Sequence, residues 1–227
     1  MSLYNPKMIL IDVDGTLVDS VPDLAFCIGA MLQALDRPVV GEERVRDWVG
    51  NGVERLVKRA LVGQLEGEPD SEIYATALPI FLDLYKDNVS RRSVLYPGVK
   101  QGLHYLQNAG YALGCVTNKA SQFTLPLLQD LAIHDVFKLI VCGDTLAKKK
   151  PDPLPLLHAA NFFSVEPSES LMLGDSVSDV RAARAAGFKI FCMSYGYNHG
   201  EDIRDYNPDA VLDTMADLHT LLPSTRP

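Results

Sequence analysis

Met8-Ile9-Leu10-Ile11-Asp12-Val13-Asp14-Gly15-Thr16 is the stretch that decides how this chain folds. Its first four residues form a short apolar run closed by a turn signal, the pattern of a strand buried on both faces. Two carboxylates two positions apart at the end of such a strand are costly. An ionised carboxylate that leaves water needs a partner, or it neutralises. A divalent cation is the simplest partner, and hard oxygen ligands suit Mg²⁺. In an open parallel sheet, ligands bind in the crevice beyond the carboxyl ends of the strands. The stretch therefore reads as a metal-assisted catalytic site, with Asp12 on the strand end and Asp14 in the turn. The plainer alternative is an Asx-type turn in which Gly15 supplies the unusual backbone angle.

Working outward, strand-like runs recur at Tyr111–Val116, Lys138–Cys142, Ser170–Leu173, Lys189–Met193 and Ala210–Leu212. Helix-like stretches lie between and after them, near 98–109, 121–132, 153–163, 178–186 and 215–222. Strands alternating with helices predict an α/β fold, a Rossmann-like parallel sheet with right-handed crossovers. The interval from 18 to 95 breaks the pattern and shows no convincing strand. Pro22–Leu35 reads as a helix with proline in its first turn. Val53, Leu56, Val57, Ala60 and Leu61 follow the spacing of an amphipathic helix. Ser71–Asn88 reads as a third helix, with a bend expected at Pro79. Residues 1–17 and 96–227 are thus expected to form the core, and 18–95 a small all-helical cap over the end of the sheet where Asp12 lies.

The bulk numbers narrow the classes. The 227 residues suffice for one large domain or a core plus a small insert. A net charge of −8 argues against nucleic acid as the main partner, which would want a basic face. It also means that an anionic substrate must be drawn in by a local positive site. Met1–Lys7 is too short and polar for a signal peptide, and no apolar run approaches a membrane span, so a cytoplasmic location with no membrane partner is expected. The tail Pro223–Pro227 is expected to fray. Cys27, Cys115, Cys142 and Cys192 show no metal or redox spacing and read as small buried hydrophobes. The five histidines show no zinc spacing.

Each remaining candidate follows a core strand. Thr117-Asn118-Lys119 offers a hydroxyl and an amide that can donate to an anion, or that can cap the next helix. In Lys148-Lys149-Lys150-Pro151-Asp152-Pro153 the prolines stiffen the backbone and single out Lys150 as an anion clamp, leaving Lys148 and Lys149 facing solvent. Asp175, in Gly174-Asp175-Ser176, emerges at the same end as Asp12 and could share the cation. Asp179 falls one helical turn later, as a support for that site or as a charge favoured by the helix dipole.

These four sites, in this order and each at a strand end, resemble the haloacid dehalogenase superfamily of phosphotransferases. Asp12-x-Asp14-Gly15-Thr16 looks like the first motif, Thr117 the second, Lys150 the third, and Gly174-Asp175 with Asp179 the fourth. Finer stretches are similar to bacterial phosphoglycolate phosphatases: Leu17–Leu24, Trp48-Val49-Gly50-Asn51-Gly52, Gly143-Asp144-Thr145 and Tyr195–Gly200. The resemblance implies that Asp12 is the nucleophile and Asp14 the general acid and base. It implies Mg²⁺ held by Asp12, the Asp14 backbone carbonyl and Asp175, and phosphoryl oxygens held by Lys150, Thr117 and Asn118. The implied substrate is a small phosphorylated metabolite, 2-phosphoglycolate first, and the implied assembly is a monomer or a homodimer.

In the cap, Gly50, Asn51 and Gly52 lead into the amphipathic helix and could offer free N–H groups to a carboxylate. Arg55 and Arg59 could add charge, or could form a solvated face on which Glu54 and Lys58 pair. His199 lies in a glycine-rich loop, as a brace for it or as a functional group. Competing readings are a phosphosugar mutase or broad sugar phosphatase on the same scaffold, and a non-catalytic binding protein. A phosphonate-cleaving relative would need a cap lysine, and only Lys58 and Lys86 qualify. Halide removal would leave Asp14 and the metal set without a purpose.

Overall fold

The computed structural model describes residues 4–224; parts of the Met1–Lys7 and Pro223–Pro227 expectations lie outside the described residues. The chain opens with β1 (Met8–Ile11), followed by β2 (Val18–Asp19). Four helices come next: α1 (Val21–Ala34), α2 (Glu42–Trp48), α3 (Val53–Val62) and α4 (Ser71–Asn88). The chain then alternates through β3 (Val94–Leu95), α5 (Val99–Asn108), β4 (Ala112–Val116), α6 (Ser121–Asp130) and β5 (Leu139–Val141). It continues with α7 (Leu154–Phe163), β6 (Ser170–Gly174), α8 (Val177–Ala186), β7 (Lys189–Met193), β8 (Ala210–Leu212) and α9 (Leu218–Leu221).

Six strands form one sheet in the order β5-β4-β1-β6-β7-β8, every pairing parallel. β1 is central, and its four side chains are buried on both faces. Ile9 and Ile11 pack into one apolar layer and Met8 and Leu10 into the other, as the two-residue period of a strand requires. This explains why the strand reads as an unbroken apolar run. Fully burying such a side chain is worth about 1.5–3 kcal/mol. Ile11 is level with Cys115 on β4 and with Leu173 on β6. The residues that follow all three strands therefore emerge at one edge of the sheet.

The four helices α1 to α4 occupy the interval in which helices alone were expected. Two features there were not foreseen. β2 and β3 pair antiparallel, Val18 opposite Leu95 and Asp19 opposite Val94, so the chain leaves the sheet and returns to it side by side. The short α2 buries Val45 and Trp48. α4 runs through Pro79 as one helix; that proline lacks an N–H to give to Ala75. The expected helix at 215–222 is a 3₁₀ turn, Met215–Asp217, running into α9. The four cysteines are buried and free. Among the described residues, no helix is long and apolar enough to cross a membrane.

Candidate active site

Asp12 leaves β1 with its N–H donated to the Leu173 carbonyl at 3.0 Å, so β6 fixes where it emerges. One Asp12 carboxylate oxygen accepts from the Val13 N–H at 2.7 Å, and the other stands 3.0 Å from Lys150 Nζ. Lys150 also donates to Asp179 Oδ1 at 2.7 Å and to the Val116 carbonyl at 2.8 Å. Its side chain is 1% exposed, so these partners replace the water that it has lost. Burial would lower its pKa, but the flanking Asp12 and Asp179 carboxylates hold it above the ordinary lysine range. Lys149 is exposed, as expected, and from there donates to the Asn51 carbonyl at 2.9 Å. The helical insert reaches down to the sheet edge here and supplies an acceptor. Lys148 is exposed and pairs with Asp152.

Asp175 follows β6 and is 2% exposed. The Thr16 hydroxyl donates to its Oδ1 at 2.6 Å and the Tyr197 N–H to its Oδ2 at 2.7 Å. Glycines make room for it. A Cβ on Gly15 would lie 2.2 Å from an Asp175 oxygen, and one on Gly196 would lie 2.1 Å from the Asp175 Cβ. Asp179 is fully buried in the first turn of α8. Its Oδ2 accepts from the Ser176 hydroxyl and from the Ser176 and Asp175 N–H groups, which closes a capping box.

Asp12, Asp175 and Asp179 each present a carboxylate oxygen within 4.8 Å of the others. Three carboxylates face one ammonium there, so negative charge is in excess. The titration behaviour follows. Burial lifts the Asp12 carboxyl to about 6, with Lys150 opposing the shift and Asp179 adding to it. Burial first, then the neighbouring Asp179 and Asp12 charges, pushes Asp175 well above the ordinary range. A hard divalent cation with oxygen ligands would offset that excess, so the residues present fit one.

The Asp14 carboxylate lies outside this cluster. Lys119 Nζ stands 3.2 Å from both of its oxygens, so Asp14 could join a metal set only through its backbone. Lys119 was not singled out from the sequence, although its position just after Thr117 at the same sheet edge was a signal. Thr117 donates its N–H to the Val141 carbonyl, and its hydroxyl oxygen accepts from the Lys119 N–H at 3.2 Å, leaving the O–H to donate. Asn118 gives a side-chain N–H to the Lys150 carbonyl at 2.8 Å, so it braces the Lys150 loop.

Of the cap candidates, Gly50, Asn51 and Gly52 line the same cavity as Asp12, Asp14 and Thr117. Asn51 Oδ1 also accepts from the Ser178 hydroxyl at 3.3 Å. Arg55 does not belong with them. It turns outward to Glu66 at 2.6 Å and Glu68 at 2.9 Å, because the acidic loop after α3 satisfies it there. Lys58 pairs with Glu68 rather than with Glu54. Arg59 is buried and donates to the carbonyls of Trp48, Gly50 and Leu65, so it braces the 48–52 loop. His199 lines the cavity and its Nδ1 shares a hydrogen bond with the Asp47 carbonyl at 2.8 Å.

The sequence pattern of the haloacid dehalogenase-like hydrolases matches residues 9–193. A phosphoglycolate phosphatase of Nitrosococcus oceani is 61% identical over 220 residues, covering 97% of this chain and 98% of its own. One from Thiobacillus denitrificans is 46% identical over 211 residues, covering 93% of each chain. The crystal structure of a predicted phosphoglycolate phosphatase from Haemophilus somnus superposes with a TM-score of 0.89 at 35% identity, covering 95% of this chain and 97% of its own.

Proposed function

Since this chain belongs to the haloacid dehalogenase-like hydrolases, we propose that it is a Mg²⁺-dependent phosphomonoesterase that cleaves 2-phosphoglycolate to glycolate and phosphate. The observation that carries the chemistry is the pairing of the Asp12 carboxylate with the buried Lys150 ammonium inside the Asp12–Asp175–Asp179 cluster. The substrate is carried over from the two curated relatives, which match nearly the whole length of the chain. Residues 18–95 are taken as the cap, and 1–17 with 96–227 as the core.

In this reading an Asp12 oxygen bonds to phosphorus as the ester P–O bond breaks. The electron pair of the departing oxygen takes a proton from Asp14, leaving an aspartyl phosphate. A water then gives a proton to Asp14 while its oxygen bonds to phosphorus. The Asp12–P electron pair returns to the Asp12 carboxylate. Two easier steps replace one hard one. Lys150 and the Thr117 hydroxyl hold phosphoryl oxygens, and Asn118 acts chiefly by holding the Lys150 backbone. Asp12, Asp175 and the Asp14 carbonyl would hold Mg²⁺, which supplies the positive charge that lets a carboxylate approach a phosphate dianion. The 47–52 loop covers the cavity and excludes water from the reacting atoms.

The test is phosphate release from 2-phosphoglycolate, glucose 1-phosphate and several sugar phosphates, with Mg²⁺ and with EDTA, for the natural chain and for Asp12→Asn. Mg²⁺-dependent preference for 2-phosphoglycolate, abolished in Asp12→Asn, is expected. A flat profile across the panel removes the substrate, and full activity in Asp12→Asn removes the mechanism.

A further inference from the structure

Asp14 lines the cavity, yet its carboxylate lies outside the acidic cluster and faces a lysine to which the strand-end motifs assign no role. Lys119 Nζ is equidistant from both Asp14 oxygens at 3.2 Å and also donates to the Tyr85 hydroxyl. The Lys119 side chain is 2% exposed, so water does not compete for its three donors. Tyr85 is fully buried. Its ring packs 5.4 Å from that of Phe81 on its own helix and 4.8 Å from that of Phe123 on α6. The hydroxyl is therefore held in place from both sides.

Three distant stretches meet in this contact: the turn after β1, the loop after β4, and α4 of the helical insert. A buried ammonium kept only for stability is commonly matched or bettered by an apolar side chain of similar volume. What an ammonium offers, and an apolar group does not, is a fixed direction for a neighbouring carboxylate. Near-attack geometry is where such fixing is worth most.

We propose that Lys119 and Tyr85 are positioning residues for Asp14, the ammonium anchored by the phenol and holding the Asp14 carboxyl toward the ester oxygen of the substrate. The inference rests on the acid and base role proposed for Asp14. Because α4 carries the phenol, the helical insert contributes to the geometry of the proton transfer as well as to covering the cavity.

The signature is a dependence on the leaving group. A departing alkoxide needs the Asp14 proton, whereas nitrophenolate leaves without one. The experiment compares kcat/KM for 2-phosphoglycolate and p-nitrophenyl phosphate, with Mg²⁺, in the natural chain and in Tyr85→Phe, Lys119→Met, Asp14→Asn and Asp14→Asn/Tyr85→Phe. Tyr85→Phe keeps the ring and its packing, so it reports even where Lys119→Met fails to fold. The expected result is a loss of about tenfold or more on 2-phosphoglycolate, a much smaller loss on the aryl ester, and no further loss when Tyr85→Phe is added to Asp14→Asn. Equal losses on the two esters, no loss, or additive losses in the double variant overturn the positioning role while Asp14→Asn still discriminates between the esters. An Asp14→Asn variant that does not discriminate overturns the acid and base role itself, and this inference with it.

Discussion

The Lys150 ammonium and Asp179 Oδ1 lie 2.7 Å apart with both side chains shut off from solvent, and the second Asp179 oxygen accepts from the Asp175 and Ser176 amides. Asp179 thus fixes the lysine that faces Asp12 and ties it to the backbone that carries Asp175. Asp179→Asn keeps the shape but removes one of the two carboxylates that face Lys150. Asp12 still compensates the ammonium, so what is weakened is one buried charge-assisted hydrogen bond, worth about 1.5 kcal/mol or more. The expected outcome is a lowered urea midpoint at unchanged slope, with kcat for phosphate release falling as well. An unchanged midpoint would show that Asp12 and the Val116 carbonyl satisfy Lys150 without help.

Gly196 is a second support for the site. Added to Gly196, a Cβ would lie 2.1 Å from the Asp175 Cβ, and nothing flexible intervenes to absorb the overlap. Gly196→Ala should displace the Asp175 carboxylate while leaving the sheet intact. Groups that orient metal ligands typically contribute roughly 10–100-fold in metal affinity. The Mg²⁺ concentration for half-maximal activity should therefore rise by about that factor, with little change in melting temperature. A Mg²⁺ midpoint equal to that of the natural chain would mean that the Tyr195–Gly200 loop gives way instead of Asp175.

The strands of the sheet were legible because a parallel sheet buried on both faces leaves continuous apolar runs, as at Met8–Ile11 and Ser170–Leu173. α3 was legible because Leu56, Val57, Ala60 and Leu61 repeat at helical spacing. α2 buries only Val45 and Trp48, too few to define a period. β2 and β3 are two residues each, and only their long-range pairing makes them strands. The positions of Asp12, Thr117, Lys150 and Asp175 at one sheet edge followed from each lying just after a core strand. Lys119 was passed over because its partners lie 105 and 34 residues away in sequence. Arg55 and Arg59, four apart on one helix, look equivalent until the acidic loop after α3 is seen to capture Arg55 and the 48–52 carbonyls to capture Arg59.

Acid should loosen the far edge of the sheet through Asp209. This carboxylate accepts from the Ile190 N–H at 2.9 Å, Lys189 at 3.0 Å and Arg184 at 2.6 Å. Burial alone would raise its pKa, but those donors outweigh it and hold the group below the ordinary value of 3.8. A carboxylate depressed on folding stabilises above its unfolded pKa, and that stability is lost as pH falls through the folded one. Asp209→Asn should therefore melt below the natural chain at neutral pH, with the gap closing as the pH drops below 3.8. Melting curves from pH 7 to pH 3 check it. A gap that stays constant would assign the effect to lost packing instead.

Arg59 supports the cavity from the insert side. Its guanidinium donates to the Trp48 carbonyl at 2.7 Å, Gly50 at 3.2 Å and Leu65 at 3.1 Å, and the side chain is buried beneath the loop that carries Asn51. Lysine retains the charge but not the planar fork, so Arg59→Lys cannot hold three carbonyls that lie in different directions. Losing one charge-assisted bond is worth about 1.5 kcal/mol. If the loop binds substrate equally in the ground and transition states, that loss enters KM and leaves kcat in place. The corresponding change is roughly tenfold in KM. Steady-state kinetics on 2-phosphoglycolate decide it: a rise in KM at constant kcat is expected. A fall in kcat at constant KM would instead place the 48–52 loop among the groups that act only in the transition state.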